Sequence, residues 1–498
     1  MRKKSPPTPS VRHGNRLWIL AVVAFFLARV LPWALAELWY DEVLSLEMFV
    51  LGQESPLTIF RDYRIANNHF LANVIEWLWV TIFPIATGNE FLLRIPALLC
   101  GIGTLLVVTL SWEKWLGENI AIGTGFLLAA SPVFSAFAFQ MRGYSLAMFL
   151  STLALTALLH RLKKMTWRNG IGLFFSSLAL PFVMPSAAML PAALCAVVAF
   201  LWLTDRRTPL YTPLRQLLPA LSGAILGTAY YLTLWADFQR ARAESGGWES
   251  AWLVGGHLLL AFSLHLVIFA APLTKSLWRR LPENRLPRAL VCGAALAILA
   301  VLLMPSPVHR APFPRVFLVL LPMLTLAGAL AARDWDWTPL NQLPLRQIAI
   351  ATILPGLLIG YLCDRQTGYQ LEHSTRIPQN LLMQYYRGNS PNREFCFALA
   401  ATKAPLPPQV IAVEPLDLPS FALYWQLAEL PSTAPGNLPA FLPGNHPLPP
   451  QVRGTSLRLF ARNEACAKEL CRSMGLPDVP LSGQPAAAHR TLFSFPLW

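Results

Sequence analysis

Two adjacent carboxylates come directly after the first long apolar segment of the chain. Asp41 and Glu42 follow Trp39-Tyr40, just beyond an apolar run that begins near residue 17. Acidic side chains at the edge of a hydrophobic bundle are costly, and they usually mark chemistry or transport. A positioned carboxylate can remove a proton from an attacking hydroxyl or amine. The pair therefore predicts a general base, although it would also stabilise the start of a helix through the helix dipole.

A second set of polar side chains follows in segments that flank other apolar runs. It comprises Arg94, Arg142, Arg315, Asn68, His69, Tyr144 and His309. Arginine holds phosphate through forked N–H donors, and an apolar bundle can receive a lipid tail. Together with the carboxylates, these residues suggest transfer of a group from a lipid phosphate to a nucleophile. Taken singly, the arginines are also typical of side chains that anchor helix ends at a membrane interface.

The composition defines the class of protein. The chain has 498 residues, of which 55% are hydrophobic and 13% are charged, and its mean hydropathy is +0.46. A soluble globular chain carries about 25% charged residues. Apolar runs of about 20 residues, the length that crosses a bilayer, recur from residue 17 to residue 363. The sequence predicts an all-α polytopic membrane protein.

The basic residues that give the chain its net charge of +14 are distributed as topology signals are. Basic clusters lie between apolar runs, for example at 161–168, 206–215 and 275–288. The positive-inside rule puts them in the cytoplasm, and no nucleic-acid partner is expected.

The clusters also test the number of crossings. Five apolar segments precede residue 161, and this parity would place the first cluster outside. We therefore interpret 69–86, which is short and carries Pro84, as a segment that does not cross. About eleven crossings remain: 17–36, 92–111, 120–139, 144–160, 168–184, 187–204, 216–235, 252–272, 289–304, 315–332 and 347–363.

This topology divides the chain into three parts. Residues 1–16 form a cytoplasmic tail, and 17–363 form a membrane domain whose first outer loop is 37–91. Residues 364–498 form an extracytoplasmic domain that is rich in proline. Short strands at 409–413 and 456–460 and a helix at 465–474 predict a small α/β fold there. One disulfide among Cys396, Cys466 and Cys471 is possible, with its pairing open.

Five segments in this order resemble a known family. LWYDEVLS (38–45), NNH (67–69) and NEFLLRIPALL (89–99) resemble the first outer loop of C-type glycosyltransferases. SPVFSAFAFQMRGYSL (131–146) and PRVFLVLLP (314–322) resemble later segments of the same enzymes. The closest resemblance is to protein O-mannosyltransferases and lipid A aminoarabinose transferase. Departures are Phe70 and Val316, where these enzymes often carry Pro and Tyr, and Pro185, where many carry a polar residue.

The resemblance implies a sugar transfer on the outer face of a bacterial plasma membrane. The donor would be a polyprenyl-phosphate sugar, the acceptor a lipid, glycan or protein, and the anomeric carbon would be inverted. Asp41 would be the base, and Glu42 would support it or help to hold a divalent cation. Arg94, Arg142 and Arg315 are the candidate phosphate ligands. Asn68, His69, Tyr144 and His309 are the candidate substrate contacts.

Two other classes of function remain open. A transporter or lipid flippase would place ionisable residues at the midplane between paired halves, whereas here no duplication is evident and these residues collect on the outer side. The chain could also be a non-catalytic component of a polysaccharide assembly system.

The topology predicts that position 163 is cytoplasmic and position 402 extracytoplasmic. In a chain whose native cysteines have been replaced, a membrane-impermeant maleimide added to intact cells should label Thr402→Cys and not Lys163→Cys. Labelling of Lys163→Cys from outside would contradict the eleven crossings.

Overall fold

A computed structural model describes most of the chain. The described residues are 9–65, 68–205, 209–244, 251–278, 285–303, 314–333, 344–373, 391–402, 409–415, 417–434, 438–445, 447–448, 456–477, 480–487 and 490–495. The predicted contact residue His309 and the outer loop around it lie outside these ranges.

Helices dominate the described residues. The α-helices are α1 (Pro9–Ala34), α2 (Tyr40–Ser45), α3 (Pro56–Arg61), α4 (Phe70–Ile82), α5 (Glu90–Leu93), α6 (Ile95–Leu106), α7 (Glu113–Leu116), α8 (Glu118–Ala130), α9 (Pro132–Phe137), α10 (Gly143–Lys163), α11 (Trp167–Val183), α12 (Met189–Thr204), α13 (Tyr211–Ala229), α14 (Trp235–Glu244), α15 (Ala251–Ala261), α16 (Ser263–Trp278), α17 (Arg285–Leu302), α18 (Leu321–Arg333), α19 (Leu345–His373), α20 (Pro391–Ala401), α21 (Leu418–Leu427) and α22 (Glu464–Ser473). Tighter 3₁₀ turns lie at Pro84–Gly88, Pro185–Ala188, Tyr230–Leu232 and Pro314–Leu320, and wider π turns at Leu46–Leu51 and Val107–Ser111.

A helix occupies each of the eleven predicted crossings. Among the described residues, seven helical segments are long and apolar enough to span a bilayer: Arg16–Ala34, Ile95–Leu116, Gly143–Lys163, Pro185–Thr204, Arg285–Leu302, Pro314–Arg333 and Leu345–Gln366. The other four positions are short or interrupted. Of these, α13 and α14 form one bent pair, with an angle of 82°, that would make an eighth span. The predicted class, a helical multi-pass membrane protein, is confirmed.

The segment predicted not to cross contains α4, which has 13 residues. At 1.5 Å per residue such a helix is about 20 Å long, shorter than a hydrocarbon core of about 30 Å. However, α8 also has 13 residues and was counted as a crossing. Helix length therefore does not distinguish α4 from α8. The prediction that α4 does not cross rests on the parity of the basic clusters.

Contacts divide the chain into two compact units. The first comprises Met1–Leu31, Gln53–Ile82 and Arg94–Tyr361. Within it, α10 packs against α6 and α11, α11 against α13, and α12 against α17. The hydroxyl of Ser151 donates to the carbonyl of Val319 at 2.7 Å, which ties α10 to the turn that begins at Pro314. Large apolar side chains on the outside of this unit suit contact with lipid.

The second unit comprises Pro32–Gly52, Phe83–Leu93 and Leu362–Trp498. It combines two segments of the predicted first outer loop with a small α/β fold. The strands are β1 (Gln409–Val413), β2 (Thr433–Ala434), β3 (Leu438–Pro439), β4 (Phe441–Pro443), β5 (Ser456–Ala461), β6 (Ser482–Ala487) and β7 (Arg490–Phe495). This unit confirms the predicted small α/β fold, with β1, β5 and α22 within two residues of their predicted bounds.

One five-stranded sheet, ordered β4-β1-β5-β7-β6, forms the core of this fold. β1 runs parallel to β4 and β5, whereas β7 is antiparallel to β5 and β6. Alternate residues of β1 face opposite sides, so Val410 and Ala412 pack with α22, and Ile411 and Val413 pack with α20 and α21. Cys396 lies on the latter face and Cys466 and Cys471 on the former, and none of them forms a disulfide.

Two buried ion pairs brace the sheet. Arg490 donates to both carboxylate oxygens of Asp417, at 2.8 and 2.9 Å, and Arg462 donates to Glu414 at 2.9 Å. Bidentate pairs such as Arg490–Asp417 fix geometry more firmly than single contacts. They hold the end of β1 to the end of β5, and the start of α21 to the start of β7.

Candidate functional site

Glu42 has a structural role in the second unit. Helix α2 begins immediately after Trp39, which has an extended backbone. The Glu42 side chain is fully buried, and its Oε2 accepts the N–H of Trp39 at 2.9 Å. The residue thus satisfies a donor at the start of the helix, as an acid in the first turn commonly does. Glu42 therefore stabilises the start of a helix, which the sequence analysis gave as the alternative role for the carboxylate pair.

Asp41 lies beside Glu42 and keeps 8% of its surface exposed. Its carbonyl accepts the hydroxyl of Ser45 at 2.9 Å, which is an interaction within the same helix. Burial, and next the charge of Asp41, raise the pKa of the neighbouring Tyr40 phenol. The capping of α2 falls to Glu42, so Asp41 is the member of the pair to test as a base.

In the first unit, His69 connects two helices. Its Nδ1 lies 2.9 Å from the carbonyl of Val183, and its Nε2 lies 3.0 Å from Nη2 of Arg142. A carbonyl only accepts and a guanidinium only donates, so Nδ1 carries the proton and Nε2 accepts. The imidazole is therefore neutral, and it orients the guanidinium of Arg142.

Gly143 makes this contact possible. A Cβ at this position would lie 2.6 Å from Nδ1 of His69 and 2.7 Å from Cγ1 of Val183. Both distances are shorter than any normal contact of a side chain. Gly143 is also the first residue of α10, and Arg142 precedes it at the N-cap. The glycine thus lets His69 approach the start of a long apolar helix.

Tyr144 brings four predicted site residues together. Its ring centroid lies 5.3 Å from that of His69, and the guanidinium carbons of Arg142 and Arg315 lie 5.8 and 6.0 Å from it. Guanidinium groups at this distance are attracted to the aromatic face. We call Arg142, Arg315, His69 and Tyr144 the arginine cluster.

Arg94 occupies the corresponding place on a neighbouring helix. It is the N-cap of α6, its exposed fraction is 1%, and its guanidinium lies 5.4 Å from the Phe139 ring. The hydroxyl of Ser145 donates to the carbonyl of Ala97 at 2.6 Å. The first turns of α6 and α10 are therefore side by side, with an arginine at each N-cap. Their aligned peptide dipoles add positive potential where both helices begin.

Asn68 holds the loop that carries His69. Its amide donates to the carbonyls of Asp62 and Ile59, and its Oδ1 accepts from the amide of Asn73 at 2.7 Å. These bonds use the amide to fix the backbone. We therefore expect Asn68 to act through His69 rather than by touching a substrate.

The second unit also contains a carboxylate that the sequence argument did not single out. Glu37 is 6% exposed, five residues before Glu42, and it binds the start of α20. An acid at the end of the first apolar run was the available signal, but its partners are 355 residues away. Gly143 was not predicted either, because the side chains that approach it, His69 and Val183, are distant in the sequence.

A divalent cation was expected only as a possibility. Among the described residues, no group of three or more His, Cys, Asp and Glu side chains is placed to hold a metal ion. Divalent cations such as Mg²⁺ prefer six oxygen ligands, several of them water. The adjacent pair of carboxylates, one of which caps a helix, does not make such a shell by itself.

The fold has known counterparts. No protein-family model and no curated protein sequence matches this chain. Among solved structures, this fold has counterparts at low sequence identity. It is similar to the crystal structure of ArnT from Cupriavidus metallidurans in the apo state, with a TM-score of 0.57 and 12% identity over 97% of this chain and 98% of that one.

A second structure of the same protein, bound to undecaprenyl phosphate, matches with a TM-score of 0.55 and 12% identity over 96% of this chain and 97% of that one. The arabinosyltransferase EmbB from Mycobacterium smegmatis matches less well, with a TM-score of 0.45 and 12% identity over 76% of this chain and 35% of that one. At 12% identity the likeness to ArnT establishes the fold and nothing finer.

We predict that Gly143→Ala destabilises the first unit, because the added methyl group would overlap His69 and Val183. Overpacking of this kind typically costs about 1–3 kcal/mol. The thermal unfolding midpoint in detergent should fall clearly. Gly88→Ala is the matched control, since nothing lies within 4 Å of a Cβ there. Equal midpoints for the two variants would contradict the close approach.

Proposed function

We propose that this chain transfers a sugar from a polyprenyl-phosphate donor to an acceptor hydroxyl or amine on the outer side of a bacterial plasma membrane. The observation that carries the proposal is the arginine cluster at the start of α10. The binding of undecaprenyl phosphate by ArnT, which shares the fold, supports the class of donor.

The cluster suits a lipid phosphate. Arg142 and Arg315 both approach the ring of Tyr144, which places two fixed positive charges near one point. The neutral His69 accepts one N–H of Arg142. It therefore orients the guanidinium without changing the net positive charge of the arginine cluster. The positive end of the α10 dipole lies at the same place, and Arg94 adds a further charge at the start of α6. The apolar helices that follow suit a polyprenyl tail.

The reaction needs one base and charge stabilisation. The acceptor oxygen or nitrogen attacks the anomeric carbon, and Asp41 takes the proton that the acceptor loses. The bond between the anomeric carbon and the phosphate oxygen breaks, and its electron pair leaves with the polyprenyl phosphate. The arginines stabilise the negative charge that develops on the leaving phosphate. Glu42 holds α2 in place and so supports Asp41.

A cation would have a limited place in this scheme. With Glu42 engaged as a cap, Asp41 is the residue of the pair that would hold such an ion. Such an ion would add charge stabilisation at the leaving phosphate, while the proton transfer is carried by Asp41.

Asp41→Asn should greatly slow transfer while leaving the fold and donor binding intact. A positioned general base contributes about 100- to 10,000-fold in rate, and we expect a loss of that order. Turnover is measured with a labelled polyprenyl-phosphate sugar in reconstituted membranes. Glu42→Gln keeps an acceptor for the N–H of Trp39 and should retain most activity, and Glu54→Gln is the exposed control in the same outer segment.

Normal transfer by Asp41→Asn would remove the base assignment. A wild-type chain that binds donor and never transfers the sugar would instead favour a non-catalytic component of an assembly system, and movement of intact donor across the bilayer would favour a flippase.

Arg315→Ala should weaken donor binding, because a guanidinium that grips the lipid phosphate acts in the ground state as well as during departure. Hydrogen bonds to charged groups contribute about 1.5–3 kcal/mol, which corresponds to about 10- to 100-fold in the dissociation constant. Binding of undecaprenyl phosphate is the measurement, and Arg61→Ala, which removes an exposed arginine of the same unit, is the control. Unchanged affinity would move the phosphate site to Arg94 and Arg142.

A further inference from the structure

Glu37 is a buried carboxylate that binds the start of a distant helix. It lies three residues beyond the end of α1, and α20 begins at Pro391. Its Oε2 accepts the backbone N–H groups of Asn392 and Arg393, both at 3.0 Å, and its Oε1 accepts Nδ2 of Asn392 at 2.9 Å. N–H groups in the first turn of a helix have no partner within the helix. Glu37 therefore caps α20 from a different part of the chain.

The next residue is held at both of its backbone polar groups. The N–H of Leu38 donates to the hydroxyl of Tyr424 at 2.8 Å, and its carbonyl accepts the hydroxyl of Ser420 at 3.1 Å. Both partners lie on α21, which packs against α20. We call these five hydrogen bonds of Glu37 and Leu38 the α/β clamp. All of them lie within the second unit.

The fixed backbone continues as far as Asp41. The N–H of Trp39 is held by Glu42, and the carbonyl of Asp41 is held by Ser45. Hydrogen bonds thus hold the side chain of Glu37 and the main chain of Leu38, Trp39 and Asp41. None of the clamp partners is local, because α20 and α21 come more than 350 residues later. The segment that carries the carboxylates is therefore shaped by the α/β fold.

We infer that the α/β fold is the support that positions Asp41, and that Glu37 and Tyr424 are positioning residues for the reaction. This inference rests on the proposed role of Asp41 as a base. A general base must lie within hydrogen-bond reach of the proton it removes. A displacement of 1 Å can cost about 100-fold in rate. If the segment that carries the base is loosened, the enzyme should therefore turn over slowly while the donor still binds.

The surroundings of Glu37 indicate which substitutions separate its charge from its hydrogen bonds. Burial raises the pKa of Glu37 to about 8, although the N–H of Arg393 and the Asn392 amide lower it. Oδ1 of Asn392 is buried and has no hydrogen-bond partner among the described atoms. If the Asn392 amide flips, this oxygen can accept a hydrogen bond from a neutral side chain at position 37. Glu37→Gln therefore can keep every bond of the clamp, whereas Glu37→Ala removes three.

The test compares four variants of the full chain in detergent or lipid nanodiscs. Glu37→Ala and Tyr424→Phe break different parts of the clamp, Glu37→Gln preserves it, and Lys468→Ala alters an exposed pair on α22 of the same fold. Amide hydrogen exchange is followed over residues 36–45 and 391–401, together with the turnover number and the donor KM.

We expect faster exchange in both segments for Glu37→Ala, with turnover reduced about 10- to 100-fold and KM changed less than about threefold. Tyr424→Phe should loosen 36–45 with a smaller loss, about 3- to 10-fold, and it covers the case in which Glu37→Ala does not fold. Glu37→Gln and Lys468→Ala should behave as the wild type. Retention by Gln would show that the hydrogen bonds and not the charge are required.

The inference is overturned if exchange rises in Glu37→Ala or Tyr424→Phe while turnover stays normal, or if exchange does not rise in either. A rise in KM with an unchanged turnover number also overturns it, since that result assigns the clamp to donor binding. Asp41→Asn, measured in parallel, separates this failure from a failure of the proposed function. If Asp41→Asn is inactive and the clamp variants are not, only the positioning role is wrong.

Discussion

One hydrogen bond between two side chains, Arg142 and His69, organises the candidate phosphate site. It exists because Val183 takes the proton-bearing nitrogen of the imidazole, which leaves the other nitrogen to accept from arginine. An imidazolium could not accept this bond and would repel the guanidinium. The neutral imidazole therefore lets two arginines share the surroundings of Tyr144 at the positive end of a helix. A glycine at the first position of that helix is the steric condition for the whole arrangement.

The two adjacent carboxylates show why neighbouring residues of one type need not share a task. Glu42 points its carboxylate back at the chain and satisfies the N–H that precedes the helix. Asp41 is one residue earlier and therefore faces about 100° around the helix axis. The same short helix thus presents one acid to its own backbone and the other in a different direction. The different directions of these two acids follow from helical geometry alone.

Local patterns predicted much of this structure, and distant partners account for what they did not predict. Strand β1, strand β5 and helix α22 were predicted because alternation and helical periodicity are properties of a few neighbouring residues. Helix positions in the membrane followed from hydropathy, whereas breaks such as the one before Pro132 limit how many helices have full length. Arg142 and Tyr144 could be selected by type, but their contact with His69 depends on a carbonyl 114 residues away. The partners of Glu37 are still more distant in the sequence, and the residues around it do not predict them.

The sheet of the α/β fold ends in β6, whose residues are largely exposed. Pro485 lies within this strand, where the pairing with β7 also shifts its register. Proline has no N–H to offer an incoming strand, and an irregular edge fits a flat partner poorly. Unprotected edge strands can pair with the edges of sheets in other chains, and the α/β fold blunts this one. With this edge unsuited to pairing, it resists joining neighbouring sheets into aggregates, so it can remain a fixed support for the short helix that it holds.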